Sequence, residues 1–206
     1  MSAETMIHAI PVRAEMRRAQ ILVAAENCFR THGFHGASIA QISKAAGMSV
    51  GHIYHYFANK EAIIAGIVGQ DLDRMMTSSA ALRAEPNLLA AMIERVAEHL
   101  HDTLDPHQAG LKLEIAVEAS RNERVADIVR AADTQGMASL KELLRSVRRS
   151  HGHADDDADI AAMAEIIAAM IEGLMVRSIR NPGLDRAAAI RRVQRIIVLI
   201  ANDETR

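Results

Sequence analysis

The chain has 206 residues, half of them hydrophobic and 24% charged, which fits one large or two small globular domains with a substantial core. Its single cysteine, Cys28, excludes an internal disulfide framework and fits a reduced compartment. Residues 160–171 form the longest apolar candidate, broken by Glu165 and short of the ~18–20 residues of a membrane span; with no signal-peptide pattern at the start, the expected location is cytoplasmic.

In chain order, almost every segment reads as helix, and the alternating Val/Ile/Thr runs of strands are missing. A helix over about 13–31 carries Ile21, Leu22, Ala25, Cys28 and Phe29 on one face and stops at "HGFHGAS", where Gly33 and Gly36 break it. Ser38 is an N-cap for a short helix, "IAQISKAA", which Gly47 ends. Ser49 caps a second short helix to about His55. Asn59 then caps a long one, with Glu61 in its first turn, where negative charge suits the helix dipole.

Beyond Pro86 the pattern predicts helices at about 87–102, 106–120, 122–149, 155–180 and 184–202. The breaks between them are short and polar, as in a helical bundle. The stretch "IAAMAEIIAAMIEGLMV" is apolar on most of its circumference, and "RIIVLI" in the last helix is similar. Such helices must be covered on more than one side. Two of them at the end of the chain suggest a self-association surface; the plainer alternative is two central helices of a monomeric bundle.

Net charge is −2, unevenly spread. Up to residue 60, Arg13, Arg17, Arg18, Arg30, Lys44 and Lys60 face only Glu4, Glu15 and Glu26, an excess of +3 that leaves −5 for the rest. This asymmetry points weakly to a polyanion-binding end. All five aromatics fall there too: Phe29, Phe34, Tyr54, Tyr56 and Phe57.

The stretch "SIAQISKAAGMSVGHIYHY" reads as helix, tight glycine turn, helix, with Ile42, Ala46 and Ile53 placed to lock two crossing helices. This is helix-turn-helix architecture, in which the second helix enters the major groove of DNA. Ser38 and Ser49 at the two helix starts can offer hydroxyls and backbone N–H groups to phosphates.

Residues 24–63, "AAENCFRTHGFHGASIAQISKAAGMSVGHIYHYFANKEAI", resemble the TetR family of transcriptional repressors. The features are F-x-x-x-G-F/Y-x-x-x-S/T, then "ISKAAGMS", then Y-x-Y/H-F-x-x-K-E, in the expected order. The resemblance implies an all-α fold. It comprises an arm over 1–12 expected to be flexible, a three-helix DNA-binding head over 13–58, and a helical ligand-binding and dimerisation body over 59–206. "LEIAVEASRNERVADIV" further resembles the body of the BetI-like subgroup. Carried over by position, Ser38 resembles a phosphate contact. Ser49, Val50, Gly51, His52, Tyr54, His55 and Tyr56 resemble the DNA-facing positions, and Lys60 the phosphate-contacting lysine of the next helix. Val50 stands where many members have Lys or another polar residue, and could read a thymine methyl. The partners implied are a pseudo-palindromic double-stranded operator, a second copy joined through the last two helices, and an unidentified small-molecule effector, with no membrane partner. The expected function is that of a ligand-released repressor, with no enzymatic activity and no cofactor.

With no aromatic beyond residue 57, a pocket in the body cannot stack planar rings on aromatic side chains or cage a quaternary ammonium with them. Candidate pocket residues are Met92, Met137 and Met170 as pliable walls, with Glu94, Glu98, His99, His101, Glu114, Glu118 and Gln135 as polar anchors.

Rival readings carry less. His52 and His55 have a metal-compatible spacing but no further ligands nearby, so no metal is expected. "HGHADDDAD" reads as a polar loop running into Asp-rich helix capping. A di-iron bundle enzyme needs two Glu-x-x-His pairs, and only Glu98–His101 is present. A non-specific architectural DNA binder keeps the head but drops the ligand switch.

Overall fold

The computed structural model describes residues 3–203, with side chains from Arg13 onward. The described part of the 1–12 segment is helical backbone from Ala3; Met1, Ser2 and the side chains before Arg13 lie outside the described residues. Among the described residues there are nine helices and no strand. No helix among them is long and apolar enough to cross a membrane.

Two compact units emerge. The first holds the chain up to Gln70 together with Leu113–Val129, and the second holds Asp71–Lys112 and the chain from Arg130. The first unit thus includes residues 59–70 and 113–129, which the resemblance places in the body.

In the first unit, α1 (Ala3–Gly36) is interrupted at Gly33, whose backbone (φ 70, ψ 169) is non-helical. Glycine carries that positive φ without a Cβ penalty. Then come α2 (Ile39–Ala45), α3 (Val50–Tyr56) and the start of α4 (Lys60–Leu82). The capping expected from sequence is present at each start. Ser38 Oγ accepts from Gln41 N–H at 3.1 Å while Gln41 Oε1 accepts from Ser38 N–H at 2.7 Å, a reciprocal capping box. Ser49 Oγ accepts from His52 N–H, and Asn59 Oδ1 from Ala62 N–H. Between α2 and α3, Gly47 takes φ 62.

The unit's core is built from the predicted face of α1, Ile21, Leu22, Ala25, Cys28 and Phe29, all buried. Ile42 and Ala46 from α2, Ile53 from α3 and Phe57 after it are buried as well. A Cβ on Gly66 of α4 would lie 2.8 Å from Leu22 Cδ2 and 3.0 Å from Phe57 Cε1, so the bare glycine is what lets α4 sit this close.

The second unit contains the rest of α4, α5 (Leu88–Thr103), the first turns of α6 (Pro106–Ala119), most of α7 (Glu123–Ser150), α8 (Asp157–Arg180) and α9 (Arg186–Ala201). These bounds fall within about three residues of the sequence expectation, the usual fraying uncertainty at helix ends. Leu100, Leu144, Val147, Ile160, Ile167 and Ile197 are central to its core. The Asp-rich loop caps α8: Asp156 Oδ1 accepts from Ala158 N–H at 2.9 Å and Asp159 N–H at 3.3 Å. Asp155 pairs with Arg149 at 2.6 Å, and Asp157 with Arg145. Arg148 is fully buried at 1% exposure; its guanidinium donates to the Ala154 carbonyl at 2.5 Å, the Asp203 carbonyl at 2.9 Å and the Ala201 carbonyl at 3.4 Å. It thereby ties the α7–α8 loop to the end of α9, where carbonyl dipoles favour a cation.

Neither terminal helix is wholly covered in this single chain. On α8, Ala162, Ile166, Ala169 and Gly173 are exposed at helical spacing, as are Ile196 and Leu199 on α9.

Candidate nucleic-acid interface

Helix α3 is anchored from one side only. Ile53 is 0% exposed and Phe57 2%, while Val50 is 40% and Tyr54 52% exposed. Gly51, His52 and His55 are exposed as well. Three rings of α3 form one cluster: His52 stacks on Tyr56 with ring centroids 5.4 Å apart and planes 11° from parallel, and His55 meets the same ring edge-on at 5.1 Å. Tyr56 is half-buried. The seven residues of α3 contain no Lys or Arg, so its exposed face offers aliphatic, aromatic, imidazole and hydroxyl groups.

Two α1 side chains that sequence reasoning missed hold this pair in place. Gln20 Nε2 donates to the Ala46 carbonyl at 2.8 Å, closing the end of α2. The Arg18 guanidinium lies 4.4 Å over the Phe57 ring and reaches the Tyr56 carbonyl at 3.4 Å. No spacing rule flags either, because each bridges segments far apart in sequence.

Lys60 is engaged inward. Its ammonium donates to the carbonyls of Phe34 at 2.5 Å and Ala37 at 3.0 Å and lies 4.5 Å over the Phe34 ring. Two of its three N–H donors are thereby used within the head.

The ten candidate pocket residues are divided between the two units, with Glu114 and Glu118 in the first and the other eight in the second. Met92 is buried in the second unit's core, with Met137 and Met170 half-buried against it. Glu98 pairs with Arg95 on the surface at 2.7 Å, and Glu94, His101 and Gln135 are exposed. His99 Nε2 lies 3.3 Å from Thr103 Oγ1, the hydroxyl that Lys112 also approaches at 3.4 Å. Burial pushes Lys112 below its ordinary pKa value. Glu114 and Glu118 belong to the first unit and bind the turn after Gly33. A shallow groove of about 300 Å³ lies elsewhere, between Ile93 and the α9 residues Arg191, Gln194, Arg195 and Val198.

Two short helices crossing at a glycine turn, with the second exposed along one face, define a DNA-binding protein of the helix-turn-helix class. The chain belongs to the TetR family. Residues 21–67 match bacterial regulatory proteins of the tetR family, and residues 86–201 match the C-terminal region of BetI-type transcriptional repressors. Among similar proteins, the HTH-type transcriptional regulator UidR of Escherichia coli K12 is 26% identical over 170 residues, covering 82% of this chain and 85% of UidR. The HTH-type transcriptional repressor AcnR of Corynebacterium diphtheriae is 29% identical over 163 residues, 79% of this chain and 80% of AcnR. Salmonella enterica GusR superposes with a TM-score of 0.73 at 26% identity, over 91% of this chain and 96% of GusR. The fold is shared too with the regulator FadR of Bacillus subtilis, solved in complex with stearoyl-CoA, at a TM-score of 0.75 and 19% identity, over 89% of this chain and 97% of FadR.

Proposed function

We propose that the chain is an operator-specific repressor that acts as a homodimer and leaves its operator when a small molecule occupies the helical body. The observation that carries this reading is α3 itself: Ile53 and Phe57 are locked inward while Val50, Gly51, His52, Tyr54 and His55 are presented outward. In a dimer, two such helices read successive major-groove turns ~34–36 Å apart. The exposed apolar faces of α8 and α9 supply the surface for the second copy. Ser38 and Ser49, at the starts of α2 and α3, are the proposed phosphate contacts.

The effector acts by population shift, and its effect is limited by its differential affinity for the bound and released states. The body holds no aromatic side chain, so its ligand is recognised by aliphatic, methionine and polar groups.

The test is a band-shift titration on the DNA upstream of the protein's own gene, with random duplex as competitor. Binding should be steeply salt-dependent and should survive the competitor. Tyr54→Ala should weaken it about tenfold, within the ~1–3 kcal/mol of a good base contact. Binding that random DNA abolishes would identify a non-specific architectural protein instead.

A further inference from the structure

The turn between α1 and α2 is held by acidic side chains of α6, Glu114 being 80 residues from its partner Phe34. Glu114 Oε1 accepts the Phe34 N–H at 2.6 Å and sits 3.0 Å from where a Gly33 Cβ would stand. Glu118 is 3% exposed; its Oε2 lies 3.0 Å from His35 Nε2, and its Oε1 accepts from Asn122 Nδ2 at 2.9 Å. Asn122 Nδ2 also reaches Glu61 Oε1 on α4 at 3.4 Å. Lys60 fixes the carbonyls of the same turn. The next residue, Ser38, is the N-cap of α2, and α2 packs on α3.

We propose that Glu114 and Glu118 are positioning residues for DNA reading: from α6 they hold the turn at residues 33–37, and with it α2 and α3, in the pose that reads an operator. The inference rests on the reading of α3 as the DNA-contacting helix. Charge alone argues the other way. Two carboxylates on a unit that meets a polyanion oppose binding, so losing them should tighten association with any DNA. A positioning role predicts the opposite for the operator, because a displaced α3 loses base contacts while non-specific phosphate attraction persists.

The experiment compares wild type with Glu114→Gln, Glu118→Gln and His35→Ala. His35 is 75% exposed at its side chain, so its removal leaves the core intact and attacks the clamp from the other end. Each protein is titrated against the duplex from upstream of its own gene and against a random duplex, across a salt series. Hydrogen exchange is followed over residues 33–41. The expected result is at least a tenfold fall in the operator-to-random affinity ratio, unchanged or tighter random binding, an unchanged salt slope, and faster exchange in that segment. An unchanged ratio in all three variants overturns the proposal, as does equal tightening on both duplexes. A wild type that cannot tell the two duplexes apart overturns instead the operator reading beneath it.

Discussion

The Lys60 ammonium donates to the Phe34 carbonyl at 2.5 Å while lying 4.5 Å over the ring of the same residue. One side chain thus closes the α1–α2 turn from the start of α4. Lys60→Met keeps the stem but removes the charge and both hydrogen bonds. It should destabilise the protein by about 1.5–3 kcal/mol, the worth of a hydrogen bond to a charged group. Urea unfolding followed by tyrosine fluorescence is the right measurement, because both tyrosines, Tyr54 and Tyr56, are on α3.

Gly66 lies inside α4, where alanine would ordinarily stabilise a helix by up to about 1 kcal/mol. Here the added methyl would meet Leu22 and Phe57 at 2.8–3.0 Å. Overpacking of this kind costs about 1–3 kcal/mol, so the sign should reverse. Gly66→Ala is expected to lower the melting temperature, and Gly69→Ala, with open space at its Cβ position, is the control.

Arg148→Met leaves the carbonyls of Ala154, Ala201 and Asp203 without their guanidinium donor inside the second unit. Ala201 is buried while Ala154 and Asp203 are exposed and their carbonyls can turn to water, so the expected loss is about 1–3 kcal/mol, the cost of one stranded buried acceptor. Arg148→Lys should recover only part of it, since an ammonium cannot reproduce the planar fork. Chemical denaturation of the two variants checks both statements.

Leu199 is 70% exposed and Ile166 58% exposed in the single chain. Leu199→Glu should leave helix content unchanged by circular dichroism, because little of the side chain is buried. If α8 and α9 form the homodimer surface, the variant should sediment as a monomer, and operator affinity should fall with it as the two heads lose their linkage.

The helices were legible in the sequence to a degree that follows from their chemistry. Ser38, Ser49, Asn59 and Asp156 are small polar caps that satisfy free N–H groups over three residues or fewer, so their effect is local and readable. Burial of Ile42 and Ile53 followed from their placement on the facing sides of two crossing helices. Residue type suggested Glu114 and Glu118 as ligand anchors, but nothing in helical periodicity says which distant segment a helix face will meet. The fold gives both carboxylates to the turn after Gly33.

The sequence by itself determined the helices, their caps, the inward anchors of α3 and the family, because each depends on contacts within a few residues or on a contiguous pattern. Only the tertiary structure decided that Lys60 closes a turn of the head, that Arg18 and Gln20 brace α2 and α3, and that two acids from α6 hold the segment before Ser38. Those contacts join residues far apart in sequence, 26 positions for Gln20 and Ala46 and 80 for Glu114 and Phe34, and whether they form depends on how the packed helices cross rather than on any local preference of the chain.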